Sequence, residues 1–390
     1  MTNTTVPAID PSTHRNDRLA RRQRSALERV REVIGTHQVP GVVLTRPGPV
    51  AWATGGMNPP IDRTAAVDTV WLAVGPSAAI VITNEVEAPR IRAELAPAGV
   101  AVEAVAWWDT DAMVDAAAEA LGAAPDDLGS DGHRAFGHDL DHALARARLP
   151  LSEAEQHDLR DLGHDAANAV EQALREWRPG EADRDIAARI AAAVERCGAD
   201  APCLLVGGDD RMLAFRHPVA NGSRPTQSVM AVLVARRGGL HVALTRHAVT
   251  EDAPELERGL SACREIHRAA LRAAQPGAAY GDALEALSAG YAHAGAAGEW
   301  RRHYQGGPIG YGQREFEIAP AETGSVWWAE VIAAGTAFAW NPSLPGGAKD
   351  EDTYIAGASG LELITTTGGW PLVDEDTDVP RPAVLEVGSE

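Results

Sequence analysis

Alternating apolar and polar stretches predict a mixed α/β segment at the start of the chain. Apolar positions within Arg18–His37 recur at helical spacing, whereas Gly41–Thr45, Val70–Val74 and Ala78–Thr83 are short runs rich in β-branched residues. A further helix is predicted at Glu85–Ala96, followed by a strand near Val100–Trp107. These elements predict an N-terminal α/β domain at residues 1–150.

A second pattern begins at Leu151 and predicts a different domain, covering residues 151–390. Ser152 and Glu155 have the spacing of a capping box. The helix that follows carries small and apolar residues at three- and four-residue steps: Leu159, Leu162, Ala166, Ala169 and Ala173. Pro179-Gly180 ends it, and a second helix is predicted over Asp183–Arg196.

This helix, Pro-Gly, helix arrangement occurs twice. A helix through Leu256 and Leu271 ends at Pro276-Gly277, 97 residues after Pro179-Gly180, and another is predicted at Asp282–Ala294. Runs with strand character follow each pair. The repetition predicts an α+β fold with two duplicated halves related by a pseudo-twofold axis and a cleft between their sheets.

The late segment "AFAWNPSLPGGAKDEDTYI" predicts a strand, a wide Gly/Pro turn and a returning strand. It carries Asn341 before the turn and Lys349 and Glu351 after it. Another stretch, "AFRHPVANG", places Arg216 and His217 just before a proline. Imidazole titrates near neutral pH, so His217 is a candidate for proton transfer.

Composition excludes some classes of partner and favours others. The formal net charge is −20 over 390 residues, with no clear basic patch, so nucleic acids and anionic membranes are disfavoured as partners. Cys197, Cys203 and Cys263 form neither an even disulfide framework nor a paired zinc motif. With no apolar leader or membrane span visible, we expect a cytoplasmic protein.

Four segments together resemble the creatinase / aminopeptidase P / methionine aminopeptidase family, peptidase family M24. They are "VVLTRPGPVAWATGG", "LSEAEQHDLRDLGHDAANAVEQALREWRPGEADRDIAARI", "HYQGGPIGYGQRE" and "NPSLPGGAKDEDTYI". The resemblance implies a pita-bread catalytic domain behind a creatinase-like N-terminal domain. It also implies a homodimer.

Metal-dependent members of that family hold two cations with two aspartates, a histidine and two glutamates. The positions of this chain that match are Ala235, Ala243, Gly307, Asn341 and Glu351, with the Ala235 match the weakest. One carboxylate does not offset the charge of two divalent cations. We therefore expect no metal and no cofactor.

The resemblance to creatinase-like members implies a metal-independent reaction. It implies catalytic roles for His217, His303 and Glu351. Five further residues are candidates for substrate binding if they converge on the cleft: Arg216, Arg246, Arg314, Asn341 and Lys349. Basic side chains suit a carboxylate. The expected function is a hydrolase or lyase acting on a C–N or neighbouring bond of a small, carboxylate-bearing, amino-acid-derived substrate.

Two alternatives stay open at this point. The first is a pita-bread pseudo-enzyme used for binding, since a fold does not determine a function. The second is a metal-dependent Xaa-Pro-type aminopeptidase that uses atypical ligands.

Overall fold

The computed structural model describes residues 11–57, 61–62, 66–67, 69–95, 100–109, 111–373 and 379–387. Within them the chain divides into two compact units. The first contains the described residues up to Arg148 together with Ser152–Glu155, and the second contains Leu149–Leu151 and the described residues from Gln156 onward.

The first unit is built on a mixed six-stranded sheet with strand order β4-β3-β2-β1-β5-β6. Its strands are β1 Val42–Leu44, β2 Val70–Val74, β3 Ala79–Asn84, β4 Ala101–Val105, β5 Gly129–Ser130 and β6 His138–Asp139. Its helices are α1 Pro11–His37, α2 Pro47–Ala53, α3 Ala88–Arg90, α4 Ala112–Leu121 and α5 Asp141–Arg148. A core around Val43, Trp71 and Ile82 fills one face of the sheet.

One predicted helix in this unit is shorter than expected. Of the stretch Glu85–Ala96, only Ala88–Arg90 forms α-helix, and Ile91–Leu95 continues as a π-helical turn. Ala96 lies outside the described residues. Pro89 within the first turn fits a helix start, because that position needs no amide donor.

The second unit contains two helix pairs, each followed by a four-stranded sheet. The helices are α6 Glu153–Arg175, which belongs to this unit from Gln156 onward, α7 Asp183–Arg196, α8 Asp209–Ala214, α9 Pro254–Ala273 and α10 Tyr280–His293. The first sheet has the order β18-β9-β8-β7, from β7 Asp200–Gly208, β8 Ser228–Arg237, β9 Leu240–Val249 and β18 Leu385–Glu386. The second has the order β10-β11-β14-β15, from β10 Gly306–Ile309, β11 Thr336–Trp340, β14 Asp352–Gly357 and β15 Gly360–Leu363.

Two small ribbons complete this unit. Strands β12 Ser343–Leu344 and β13 Ala348–Lys349 pair at the turn between β11 and β14, and β16 Leu372–Val373 pairs with β17 Arg381–Pro382. The predicted capping box is formed, since the Ser152 backbone and hydroxyl both donate to Oε2 of Glu155 at 2.7 Å. The repeated helix pairs and the late strand-turn-strand are confirmed. The fold is α+β of the pita-bread type.

The two sheets of the second unit are joined by hydrogen bonds between β9 and the start of β14. The Ala243 amide donates to Oγ1 of Thr353 at 2.8 Å, and the Thr245 amide donates to the carbonyl of Glu351 at 2.9 Å. Across the β8–β9 hairpin, Val234 pairs with Ala243. These contacts place Ala243 and Glu351 at the junction of the sheets, where the pocket described below lies.

In the part of the chain that the structure describes, no helix has the length and apolar character needed to cross a membrane.

Candidate active site

A pocket at the junction of the two sheets collects several of the residues singled out from the sequence. Its cavity measures about 100 Å³. His217, Arg314, Asn341, Lys349 and Glu351 line it together. The remaining wall consists of Cys203, Leu205, Val232, Val234, Ala243, Gly306, Gly307, Pro308, Gln313 and Ala339.

Glu351 is the carboxylate in the pocket wall. It is 4 % exposed, and its Oε2 accepts a hydrogen bond of 2.8 Å from Oγ1 of Thr245. Lys349, equally buried, places Nζ 3.7 Å from the same oxygen. The pocket therefore presents a buried anion and a buried cation side by side, a combination suited to a ligand that is itself polar.

His217 lies in the loop after α8, and its side chain lines the same pocket although the residue is exposed. Removal of the imidazole from solvent lowers the pKa of His217, and the positive charge of Lys349 lowers it further, while Glu351 acts in the opposite direction. The ring is consequently neutral at pH 7. A neutral imidazole facing a pocket can accept a proton from water or substrate.

Arg314 lines the pocket while forming an ion pair with Glu317. Its guanidinium also lies over the ring of Tyr304, 5.2 Å from the centroid. Glu317 is exposed, and its ion pair with Arg314 offsets part of the charge that the guanidinium brings to the pocket wall. Arg314 and Lys349 give the pocket two cationic side chains.

His303 does not line the pocket. Its Nε2 lies within hydrogen-bond distance of Gln305 Nε2 (2.9 Å), Ser343 Oγ (3.0 Å) and Tyr291 Oη (3.2 Å), and Nδ1 lies 2.7 Å from the Tyr304 carbonyl. Burial and then Lys349 lower the pKa of His303 to about 3. This histidine is a neutral hydrogen-bonding partner within a side-chain network that includes Ser343 of the turn.

Arg216 and Arg246 also lie elsewhere. Arg216 donates to the carbonyl (2.9 Å) and hydroxyl (2.8 Å) of Ser343, pairs with Glu299, and lines an adjoining cavity instead. Arg246 is 4 % exposed and is held 2.8 Å from Asp352. Its guanidinium also donates to the Thr365 carbonyl at 2.7 Å. Arg246 therefore joins buried segments of the chain and does not line the pocket, contrary to the substrate-binding role expected from the sequence.

Most of the positions that align with the metal ligands of the family lie in the pocket wall. Ala243, Gly307, Asn341 and Glu351 all line it. Ala235 does not. Strand alternation turns Val232 and Val234 toward the cavity and Ala235 away from it, so the sequence match to Ala235 is out of phase by one residue.

This set of donors does not fit a pair of divalent cations. Among the described residues, no group of three or more His, Cys, Asp and Glu side chains could hold a metal ion. The pocket instead pairs one carboxylate with Lys349 and Arg314, which repel a cation. Burial, reinforced by Glu351, raises the pKa of the Cys203 thiol, so this residue lacks the thiolate character of a strong ligand or nucleophile.

Sequence reasoning missed three contributors to this site. Thr245 fixes the Glu351 carboxylate, and Cys203 and Gln313 line the cavity. The position of Thr245 could have been inferred from its place two residues after Ala243, on the same face of β9. Gln313 and Cys203 lie on other segments, and only the three-dimensional fold brings them to the pocket.

Comparison with known proteins agrees with this fold. The profile of metallopeptidase family M24 matches residues 158–363, and the chain belongs to that family. A search among curated proteins found no match.

Solved structures share the fold over nearly the whole chain. The chain is similar to dipeptidase PepE from Mycobacterium ulcerans, with a TM-score of 0.72, 21 % identity, and coverage of 96 % of this chain and 99 % of the other. It is also similar to the prolidase from Pyrococcus horikoshii OT3 (TM-score 0.68, 18 % identity, 88 % and 98 % covered). A third is the N-terminal domain of FACT complex subunit SPT16 from Cicer arietinum (TM-score 0.58, 12 % identity, 93 % and 98 % covered).

Proposed function

We propose that this chain is a metal-independent, creatinase-like hydrolase or lyase. Its substrate is a small, amino-acid-derived molecule that bears a carboxylate, and the bond broken is a C–N bond or a neighbouring one. The observation that supports this most strongly is the convergence of His217, Glu351 and Lys349, with Arg314 and Asn341, on one pocket.

The residues divide the work of a hydrolysis in the following way. Neutral His217 accepts a proton from water while the water oxygen attacks the substrate carbon, and returns it to the leaving nitrogen. Water is consumed, with its hydroxyl on carbon and its hydrogen on nitrogen. Lys349 and Arg314 bind the carboxylate and oppose the negative charge that develops on the attacked group. Glu351, held by Thr245, orients a donor on the substrate.

Membership of family M24 supports a hydrolytic enzyme, and two of the similar solved structures are a dipeptidase and a prolidase. Metal independence is our inference from the donors in the pocket. The homodimer and a cytoplasmic location likewise stay predictions.

The experiment uses chelator-treated protein and a panel of small carboxylates with amide, amidine, guanidine or amine C–N bonds, followed by mass spectrometry of products. We expect turnover of at least one compound, abolished by Glu351→Gln and strongly reduced by His217→Ala. His157→Ala is the control, because His157 is exposed on α6 and pairs there with Asp161, which is also exposed. Turnover that depends on added metal overturns the proposal.

A pseudo-enzyme used for binding is the second candidate. The same fold occurs in a FACT complex subunit, and His303, one of the expected catalytic residues, lies outside the pocket. Two results together favour the pseudo-enzyme. The protein binds a ligand without forming any product, and Glu351→Gln binds that ligand as tightly as the parent protein does.

A further inference from the structure

Asn341 carries a buried oxygen that has no hydrogen-bond partner in the described chain. The residue is 7 % exposed and lines the pocket, and its Oδ1 is among the buried side-chain atoms left unpaired. A buried acceptor without a donor is costly, and native structures rarely keep one without a reason. Because Asn341 lines the pocket, the missing donor is expected on a ligand.

The strand register places Asn341 opposite Glu351. Trp340 pairs with Asp352 and Ser343 pairs with Lys349, so the positions between them face each other across the turn. Side chains opposite one another on paired segments are close neighbours, with Cβ atoms about 5 Å apart. The unpaired amide oxygen therefore lies near the buried ion pair of Glu351 and Lys349.

Lys349 supplies the complementary half of the site. The 3.7 Å between its Nζ and Oε2 of Glu351 is an ion-pair distance that is too long for a good hydrogen bond. The ammonium thus retains donor capacity toward the pocket that both residues line. The pocket therefore offers one hydrogen-bond acceptor, Oδ1 of Asn341, and one cationic donor, Nζ of Lys349.

We infer that the pocket selects a carboxylate-bearing secondary amide, such as an N-acyl amino acid, with its N–H on Asn341 Oδ1 and its carboxylate on Lys349 Nζ. This inference rests on the proposed use of the pocket as the substrate site. The carboxamide at position 341 is neutral and so matches a neutral amide N–H. An N,N-disubstituted amide, like the one that precedes a proline, has no hydrogen to offer and leaves Oδ1 unpaired.

Two isomers test the N–H directly. N-acetyl-L-alanine and N-acetylsarcosine have the same atoms and one carboxylate each, but only the first has an amide hydrogen. Calorimetric titration of the full-length protein should show N-acetyl-L-alanine binding about tenfold or more tightly. In Asn341→Ala this preference should fall to near onefold, whereas Asn341→Asp, which keeps an oxygen acceptor, should retain a preference for the N–H compound.

A second pair tests the anion. N-acetyl-L-alanine should bind more tightly than its uncharged C-terminal amide, and Lys349→Met should lose that preference while Lys349→Arg keeps it. Thermal melting of each variant establishes that it is folded at the titration temperature. Equal binding of the isomers by the parent protein, a preference that survives in Asn341→Ala, or no binding of either isomer overturns the inference.

The outcomes separate this inference from the proposed function. His217→Ala should keep the isomer preference, since it removes proton transfer and leaves Asn341 in place. Turnover of compounds without any N–H preference supports the proposed reaction and overturns the ligand class. A clear preference for the N–H compound without turnover of any compound supports the ligand class and overturns the proposed reaction.

Discussion

Lys349 and Glu351 form an ion pair of 3.7 Å in which both side chains are almost fully buried. Thr245 holds the carboxylate from the opposite strand with a hydrogen bond of 2.8 Å. Lys349→Met should leave Glu351 as an uncompensated charge and lower the free energy of unfolding by up to about 3 kcal/mol. The double variant with Glu351→Gln should recover part of that loss.

Denaturant unfolding of the two single variants and the double variant measures this coupling in a double-mutant cycle. Additive losses would show that the two side chains do not interact. Because the pair is central to the pocket, such a result would also remove the basis for assigning Lys349 to an anion.

His217 is expected to act in the chemical step. His217→Ala should lower kcat by a factor of about 10²–10⁴ with little change in Tm, because the residue is exposed and its removal opens no core cavity. Steady-state kinetics and thermal melting check this together. A lower Tm with normal turnover by the folded fraction contradicts the assignment.

The pH dependence of the rate provides an independent check on His217. Its pKa is lowered by removal from solvent and by Lys349, so the neutral, proton-accepting form persists below the ordinary value of about 6.5. The acidic limb of kcat/KM should therefore lie below pH 6.5 and disappear in His217→Ala if residual turnover is measurable. A limb above pH 7 would indicate another base.

Stability should fall on acidification before the carboxylates titrate. Burial lowers the pKa of His241 and of His247 to about 4 each. Between about pH 6.5 and pH 4 the unfolded chain binds protons that the folded chain does not. Each such histidine therefore contributes a slope of up to about 1.4 kcal/mol per pH unit, with stability decreasing as pH falls.

Unfolding free energies measured from pH 7 to pH 4 test this slope. His247→Gln should reduce the slope by up to the contribution of one proton, because the titrating ring is removed. Glutamine is chosen because it can still donate to the Gly347 carbonyl, which lies 3.2 Å from Nε2 of His247. The exposed His157→Gln should leave it unchanged. An equal slope in all three proteins would contradict the linkage.

The homodimer is predicted from the family resemblance and can be measured simply. Light scattering at micromolar concentration should give twice the 41.1 kDa chain mass. A monomer over that range would count against the prediction without affecting the pocket.

Much of the second unit was predictable because its patterns are long and regular. The Asp183–Arg196 helix has the bounds expected from Ile186 and Ile190, and the capping box of Ser152 is formed as its spacing indicates. The short π-helical segment Ile91–Leu95 was not predictable, since periodicity alone does not distinguish it from α-helix.

Within the site, the sequence could place Asn341, Lys349 and Glu351 together because one hairpin carries all three. It could not separate Arg246 from the pocket. An arginine at the end of a strand has the same signature whether it binds a ligand or, as here, pairs with Asp352. That distinction depends on the partner chosen across the sheet, which is a tertiary property.

The central claim is that this pocket works without metal, and metal analysis tests it most directly. Protein should be incubated with Mn²⁺, Co²⁺, Fe²⁺ or Zn²⁺, freed of unbound ions, and measured by elemental analysis alongside its activity before and after chelation. We predict far less than one metal ion per chain and unchanged turnover after chelation, because Lys349 and Arg314 share the pocket with a single carboxylate. About two ions per chain, with activity lost to the chelator and restored by metal, would contradict the account and favour an aminopeptidase with atypical ligands.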